Sequence, residues 1–152
     1  RPQRGEPLDV GQEICLKVPS RIEMLSVINS VTEEVVDQIG FDEEARNAIA
    51  ISVVEAGTNA IEHGNQQEAM RPTEICFRRE ADRLIILVRD QGQGFDPDAV
   101  RDPLAAENMF AARGRGVHIL RSFMDEVQYE FGADGTRCRL VKFLPQHAQP
   151  AP

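Results

Sequence analysis

The sequence predicts an α+β fold: a two-layer α/β sandwich whose mixed, mostly antiparallel sheet carries its helices on one face. Three observations predict it. Two pairs of strand-like runs, at 73–89 and 126–143, are each joined by a short polar turn. Two segments between 20 and 63 repeat their apolar residues at helical period, ahead of the first pair. The whole order, β-α-α-β-β-loop-α-β-β, groups helices and strands instead of alternating them, which disfavours a parallel sheet.

The first strand is the run from Glu13 to Val18, where Ile14, Leu16 and Val18 alternate with Cys15 and Lys17. Pro19 and Ser20 then open a helix, with Ser20 and Glu23 spaced as a capping box. Ile22, Leu25, Ile28, Thr32, Val35 and Ile39 continue it, and Gly40 stops it. Asp42 caps a second helix with Glu43 and Glu44 in its first turn, where acidic groups favour the helix dipole. This helix runs to His63 and closes at Gly64.

Strands follow from Thr73 to Arg79 and from Arg83 to Arg89, with the turn at Glu80 to Asp82. The run Leu84 to Val88 is apolar enough for a central strand. From Asp90 to Arg113 the chain is irregular, with five Asp/Glu and two Pro. A connection of more than about 20 residues in a small domain is uncommon and points to a functional lid. A short helix from Val117 to Met124 precedes strands at Glu126 to Phe131 and Thr136 to Phe143, turned by Gly132 to Gly135.

With 152 residues the chain suits one domain, taken as 12–144, and the Pro-, Gly- and Gln-rich stretches 1–11 and 145–152 read as flexible ends. No run approaches the ~18 apolar residues of a membrane span, and no signal-peptide core opens the sequence. The expected location is cytoplasmic. A net charge of −8 argues against direct nucleic-acid or anionic-membrane binding. Only Lys17 and Lys142 are lysines, and the arginines gather at Arg113, Arg115 and Arg121 and at Arg137 and Arg139, which suits a small anionic ligand. Cys15, Cys76 and Cys138 lack metal-ligand spacing and read as small core residues.

The chemistry concentrates in three places. On the second helix, Glu55, Asn59 and His63 fall within one arc of about 80° at 100° per residue. Apolar residues such as Val53, Ala56, Ala60 and Ile61 flank that stripe, and polar groups among buried positions are costly unless a partner or ligand satisfies them. The bland alternative is that Glu55 and Asn59 bond to neighbouring backbone and that His63 packs or caps beside Gly64. The second place is Asp90-Gln-Gly92-Gln-Gly94-Phe95, after the most apolar strand, where glycines allow a ligand close to the backbone and Asp90 can accept from an exocyclic amine. The third is Arg113-Gly114-Arg115-Gly116-Val117 at a helix start, where exposed N–H groups and arginines suit phosphate. Taken singly, each glycine pair also fits an ordinary turn.

In combination the order is distinctive. A Glu-x-x-x-Asn-Ala-x-x-His helix is followed by Asp-x-Gly-x-Gly, then Gly-x-Gly, then Gly135-Thr136 before the last strand. This resembles the GHKL ATPase superfamily and its Bergerat ATP-binding fold, over residues 13 to 143. Within the superfamily the chain is most similar to stand-alone anti-sigma factors that are also serine-protein kinases. The helix motif begins with Glu55 where histidine kinases usually have Asn, Gly116 to Val127 is similar to those regulators, and no dimerisation helix pair is visible.

The resemblance implies ATP and Mg²⁺ as cofactors. Asn59 would bind the metal, with His63 among the cofactor-binding residues, and Asp90 would hold the adenine amine with Thr136 near it. Gly92 and Gly94 would let the adenine approach; Arg113, Gly114, Arg115, Gly116 and Val117 would wrap the phosphates. Glu55 would be the catalytic base toward a substrate hydroxyl. The implied substrate is a serine on an anti-anti-sigma partner of STAS type, with a sigma factor as the competing partner and a homodimer as the assembly. Arg21 is the expected partner contact. There are departures: the long loop does not match those kinases residue by residue, and Ala112 stands where a phosphate-contacting arginine would be sought. Two other readings remain open: a non-catalytic, ATP-gated module that sequesters a sigma factor or other regulator, and the catalytic portion of a histidine kinase.

Overall fold

The computed structural model describes residues 8–92 and 116–145. Asp90 ends a strand instead of opening the irregular stretch, and residues 93–115, which hold the rest of the expected lid with Gly94, Ala112 and Arg113 and also Gly114 and Arg115, lie outside the described residues, as do 1–7 and 146–152.

Five strands form one sheet in the order β1-β2-β3-β5-β4. They are β1 (Glu13–Val18), β2 (Thr73–Arg79), β3 (Arg83–Asp90), β4 (Glu126–Gly132) and β5 (Gly135–Phe143). Among the described residues every pairing is antiparallel, with no mixed component. The reason is where the chain goes after β3. It crosses to β4 at the edge, and β5 returns between them. β4 therefore runs parallel to β3 without touching it.

Alternation decides which face is buried. Leu84, Ile86 and Val88 of β3 are buried, and the intervening Ile85, Leu87 and Arg89 are only half-buried. In register with them stand Ile75 and Phe77 of β2 and Cys138 and Leu140 of β5, all buried. The helices α1 (Leu25–Asp37) and α2 (Glu43–Thr58) pack with this side: Ile28, Val35, Ile49 and Val53 belong to the same cluster. A third helix, α3, covers 116–123 and contributes Leu120.

Asp42 caps α2 as expected, its Oδ1 accepting from the Ala45 N–H at 2.7 Å. The capping box at Ser20 does not form. Ser20 is fully buried, and its hydroxyl bonds to the Arg71 carbonyl and to Thr73. A 3₁₀ turn, Ile22–Met24, leads into α1 with no side-chain cap. Gly40, at φ +91°, follows the helix end in the left-handed region open to glycine. In the described part of the first end, 8–11, Leu8 is buried in the core and its carbonyl accepts from Arg79 Nη1 at 2.8 Å, while Asp9, Val10 and Gly11 are exposed.

Of the three cysteines read as core residues, Cys138 and Cys76 are buried, and Cys15 departs from the expectation. Cys15 and Cys76 are register partners in β1 and β2, their Cα atoms 4.1 Å apart, and form a disulfide. Both project from the face away from the helices, so Cys15 is exposed and does not serve as core. Cys138 is buried and takes no part in the bridge.

Candidate nucleotide site

The expected α2 helix changes pitch at its end. After Thr58 the chain continues as a π-helical segment, Asn59–Gly64, closed by the Asn65 N–H donating to the Ala60 carbonyl at 2.8 Å. Such widened turns are rare and recur at functional sites. Glu55 and Asn59 stay on one side, but His63 is exposed to solvent.

Glu55 and Asn59 both meet the start of α3. A β-carbon on Gly116 would stand 2.4 Å from Glu55 Oε1 and 2.8 Å from Asn59 Nδ2, so only glycine fits there without displacing one of them. Asn59 is 4% exposed, and its Nδ2 has no hydrogen-bond partner among the described residues. A buried amide donor left unmatched is costly, so Asn59 calls for a partner beyond the described residues. Val117, next along, is half-buried.

The second part of the site is the end of β3. Asp90 is 5% exposed, and its Oδ1 accepts from the Gly92 N–H at 3.0 Å and the Thr136 N–H at 3.2 Å. Thr136, also buried, is its register partner on β5. Glycines crowd this carboxylate. A β-carbon on Gly64 would lie 2.2 Å from Asp90 Oδ2, and one on Gly92 would lie 2.2 Å from the Gly64 carbonyl oxygen. Gly135 takes φ +130°, with the Asp90 carbonyl where a β-carbon would go, so the β4–β5 turn also closes on Asp90. A cleft of about 680 Å³ at this end of the sheet is lined by Asp90, Gln91 and Thr136 together with Lys17, Glu74, Arg89 and Arg137, and by none of Glu55, Asn59, Gly92 or Gly116.

The π segment therefore joins two halves. Its first residue, Asn59, faces α3 beside Glu55, and its last, Gly64, abuts Asp90. Of the residues singled out from sequence, the structure groups Glu55, Asn59 and Gly116 at one end and Asp90, Gly92 and Thr136 at the other. His63 is exposed.

The Histidine kinase-like ATPase domain family matches residues 18–142. The chain belongs to this family.

Among curated relatives, it is 27% identical over 137 residues to a serine-protein kinase RsbW of Bacillus subtilis, covering 86% of this chain and 85% of that one. It is 28% identical over 138 residues to an RsbW of Staphylococcus epidermidis, covering 86% of each. In a solved structure of the RsbU and RsbW domains of Rv1364c from Mycobacterium tuberculosis, the likeness has a TM-score of 0.68 at 17% identity, covering 93% of this chain and 35% of that one. The chain thus spans about a third of that larger protein, and the likeness shows the shared fold.

One group of residues near the site is absent from any sequence motif: Asn65, Ser20 and Thr73, buried together behind Gly64. Asn65 reads in sequence only as a polar residue after a helix stop. Ser20 reads as a cap.

Proposed function

We propose that this chain is an ATP-dependent serine-protein kinase and anti-sigma regulator, acting on a serine of a STAS-type anti-anti-sigma partner in a partner-switching pathway. A sigma factor is the competing partner. Family membership and relatives named serine-protein kinase support the reading. The observation that carries it is local: a carboxylate and a buried, unmatched carboxamide one helical turn apart, both against Gly116 at the start of α3.

That donor set fits a nucleotide with its metal. Asn59 would hold Mg²⁺ through its side-chain oxygen, its unmatched Nδ2 being free to donate to a phosphate oxygen, and the metal when bound neutralises charge on the phosphate oxygens. Asp90, anchored by two backbone N–H groups, would accept from the adenine amine beside Thr136. Gly92 leaves the backbone open to the base, while Gly116 and Val117 present the start of α3 to the phosphates. Glu55 would take the proton of the serine hydroxyl as its oxygen bonds to the γ-phosphorus and the bond to the β–γ bridging oxygen breaks. Phosphoryl transfer asks a protein mainly for position and electrostatics, which Glu55 beside Asn59 would supply.

The test is transfer from labelled ATP to a serine-bearing STAS protein, with wild type and Glu55→Gln. The reading predicts ATP binding in both and a loss of transfer on the order of 10²–10⁴-fold in the variant. Binding without transfer by wild type would replace the kinase with an ATP-gated sequestering module.

A further inference from the structure

Behind the site, Ser20, Asn65 and Thr73 are each 0% exposed. They come from separate segments, after β1, after the π segment and at the start of β2. Asn65 connects them. Its Nδ2 donates to Ser20 Oγ at 2.9 Å and lies 3.1 Å from the Pro72 carbonyl and 3.2 Å from Thr73 Oγ1. Ser20 Oγ and Thr73 Oγ1 are themselves 2.8 Å apart. The other end of the amide turns toward the site: Asn65 Oδ1 accepts from the Gln91 N–H at 2.8 Å.

That last bond has a particular position. Asp90–Thr136 is the final pair of the β3–β5 ladder, so Gln91 has left the sheet. Its N–H needs an acceptor that no strand supplies, and Asn65 supplies it. Gln91 is also the residue between Asp90 and Gly92, whose N–H binds the Asp90 carboxylate. Because the Asn65 backbone is fixed by its bond to Ala60, the clasp ties the 90–92 turn to the π segment carrying Asn59.

We propose that Asn65 is a positioning residue for base selectivity: by holding the Gln91 N–H it fixes the turn that aims the Asp90 carboxylate. The proposal rests on the nucleotide-binding reading above. Selectivity for a 6-amino purine requires an acceptor held at one place; a mobile carboxylate binds 6-amino and 6-oxo purines more evenly.

The experiment compares dissociation constants for ATP and inosine triphosphate in wild type and Asn65→Ala. Wild type is expected to favour ATP by about tenfold or more, the worth of one charge-assisted hydrogen bond. Asn65→Ala is expected to bring the ratio to within about threefold. Simple destabilisation lowers both affinities together and leaves the ratio unchanged, so the ratio reports positioning. A wild-type ratio in Asn65→Ala overturns the proposal.

The second measurement needs no nucleotide: amide exchange of Gln91 by NMR, referred to Val88 in β3. Gln91 is expected to be protected in wild type and to exchange at least about tenfold faster in Asn65→Ala, with Val88 changed less. If wild type binds neither nucleotide, the binding reading has failed and exchange alone decides the positioning role. Should Asn65→Ala not fold, Thr73→Val removes one anchor of the amide and is expected to speed Gln91 exchange in the same direction. Unchanged Gln91 exchange in the folded variant overturns the proposal.

Discussion

Gly64 and Asp90 share a space that leaves no room for a side chain: a β-carbon on the glycine would stand 2.2 Å from both Cγ and Oδ2 of the aspartate. The carboxylate cannot simply retreat, since its Oδ1 is held by the Gly92 and Thr136 N–H groups. Gly64→Ala should therefore displace Asp90. The expected result is a loss of about 1–3 kcal/mol of stability by overpacking, with ATP affinity falling further than the folded fraction. Thermal melts and calorimetric titration on the same sample separate the two.

Gly116 poses the same constraint at the other end. Alanine there meets Glu55 Oε1 at 2.4 Å and Asn59 Nδ2 at 2.8 Å. Glu55 is half-exposed and can swing aside, so the fold should survive with a melting temperature close to wild type. Transfer should not: a displacement near 1 Å at a reacting group costs on the order of 10²-fold. A kinase assay on Gly116→Ala with a melt alongside checks this.

The Cys15–Cys76 bridge closes a loop of sequence separation 61 and ties the edge strand β1 to β2. On the chain-entropy scale a loop of that length contributes about 4 kcal/mol. Cys15→Ser, or added reductant, should lower denaturant stability by that order relative to the oxidised protein. Reductant should then have no further effect on Cys15→Ser. Cys138 is buried and outside the bridge, so Cys138→Ala should leave the response to reductant intact.

Much of this was legible in local pattern. Alternation bounded β1 because a half-buried strand turns every second residue to one face, and Asp42 marked its helix because the cap acts three residues away. Glu55 and Asn59 could be placed on one face from helical period alone, and Asp90 stood out by its place after the most apolar strand. What escaped depends on distant residues. Ser20 looked like a cap, yet its partners Asn65 and Thr73 lie 45 and 53 positions away. The disulfide follows from register between strands far apart in sequence, which spacing does not reveal. Asn65 was missed because its work is done through another residue's backbone.

The most direct measurement is a calorimetric titration of ATP, with and without Mg²⁺, into wild type and Asn59→Ala. The account predicts Mg²⁺-dependent binding by wild type, weakened by at least about tenfold in the variant, because the buried Asn59 would hold the metal through its side-chain oxygen while its unmatched Nδ2 donates to a phosphate oxygen. Folded wild type that does not bind, or Asn59→Ala that binds ATP·Mg²⁺ as tightly as wild type, would contradict it.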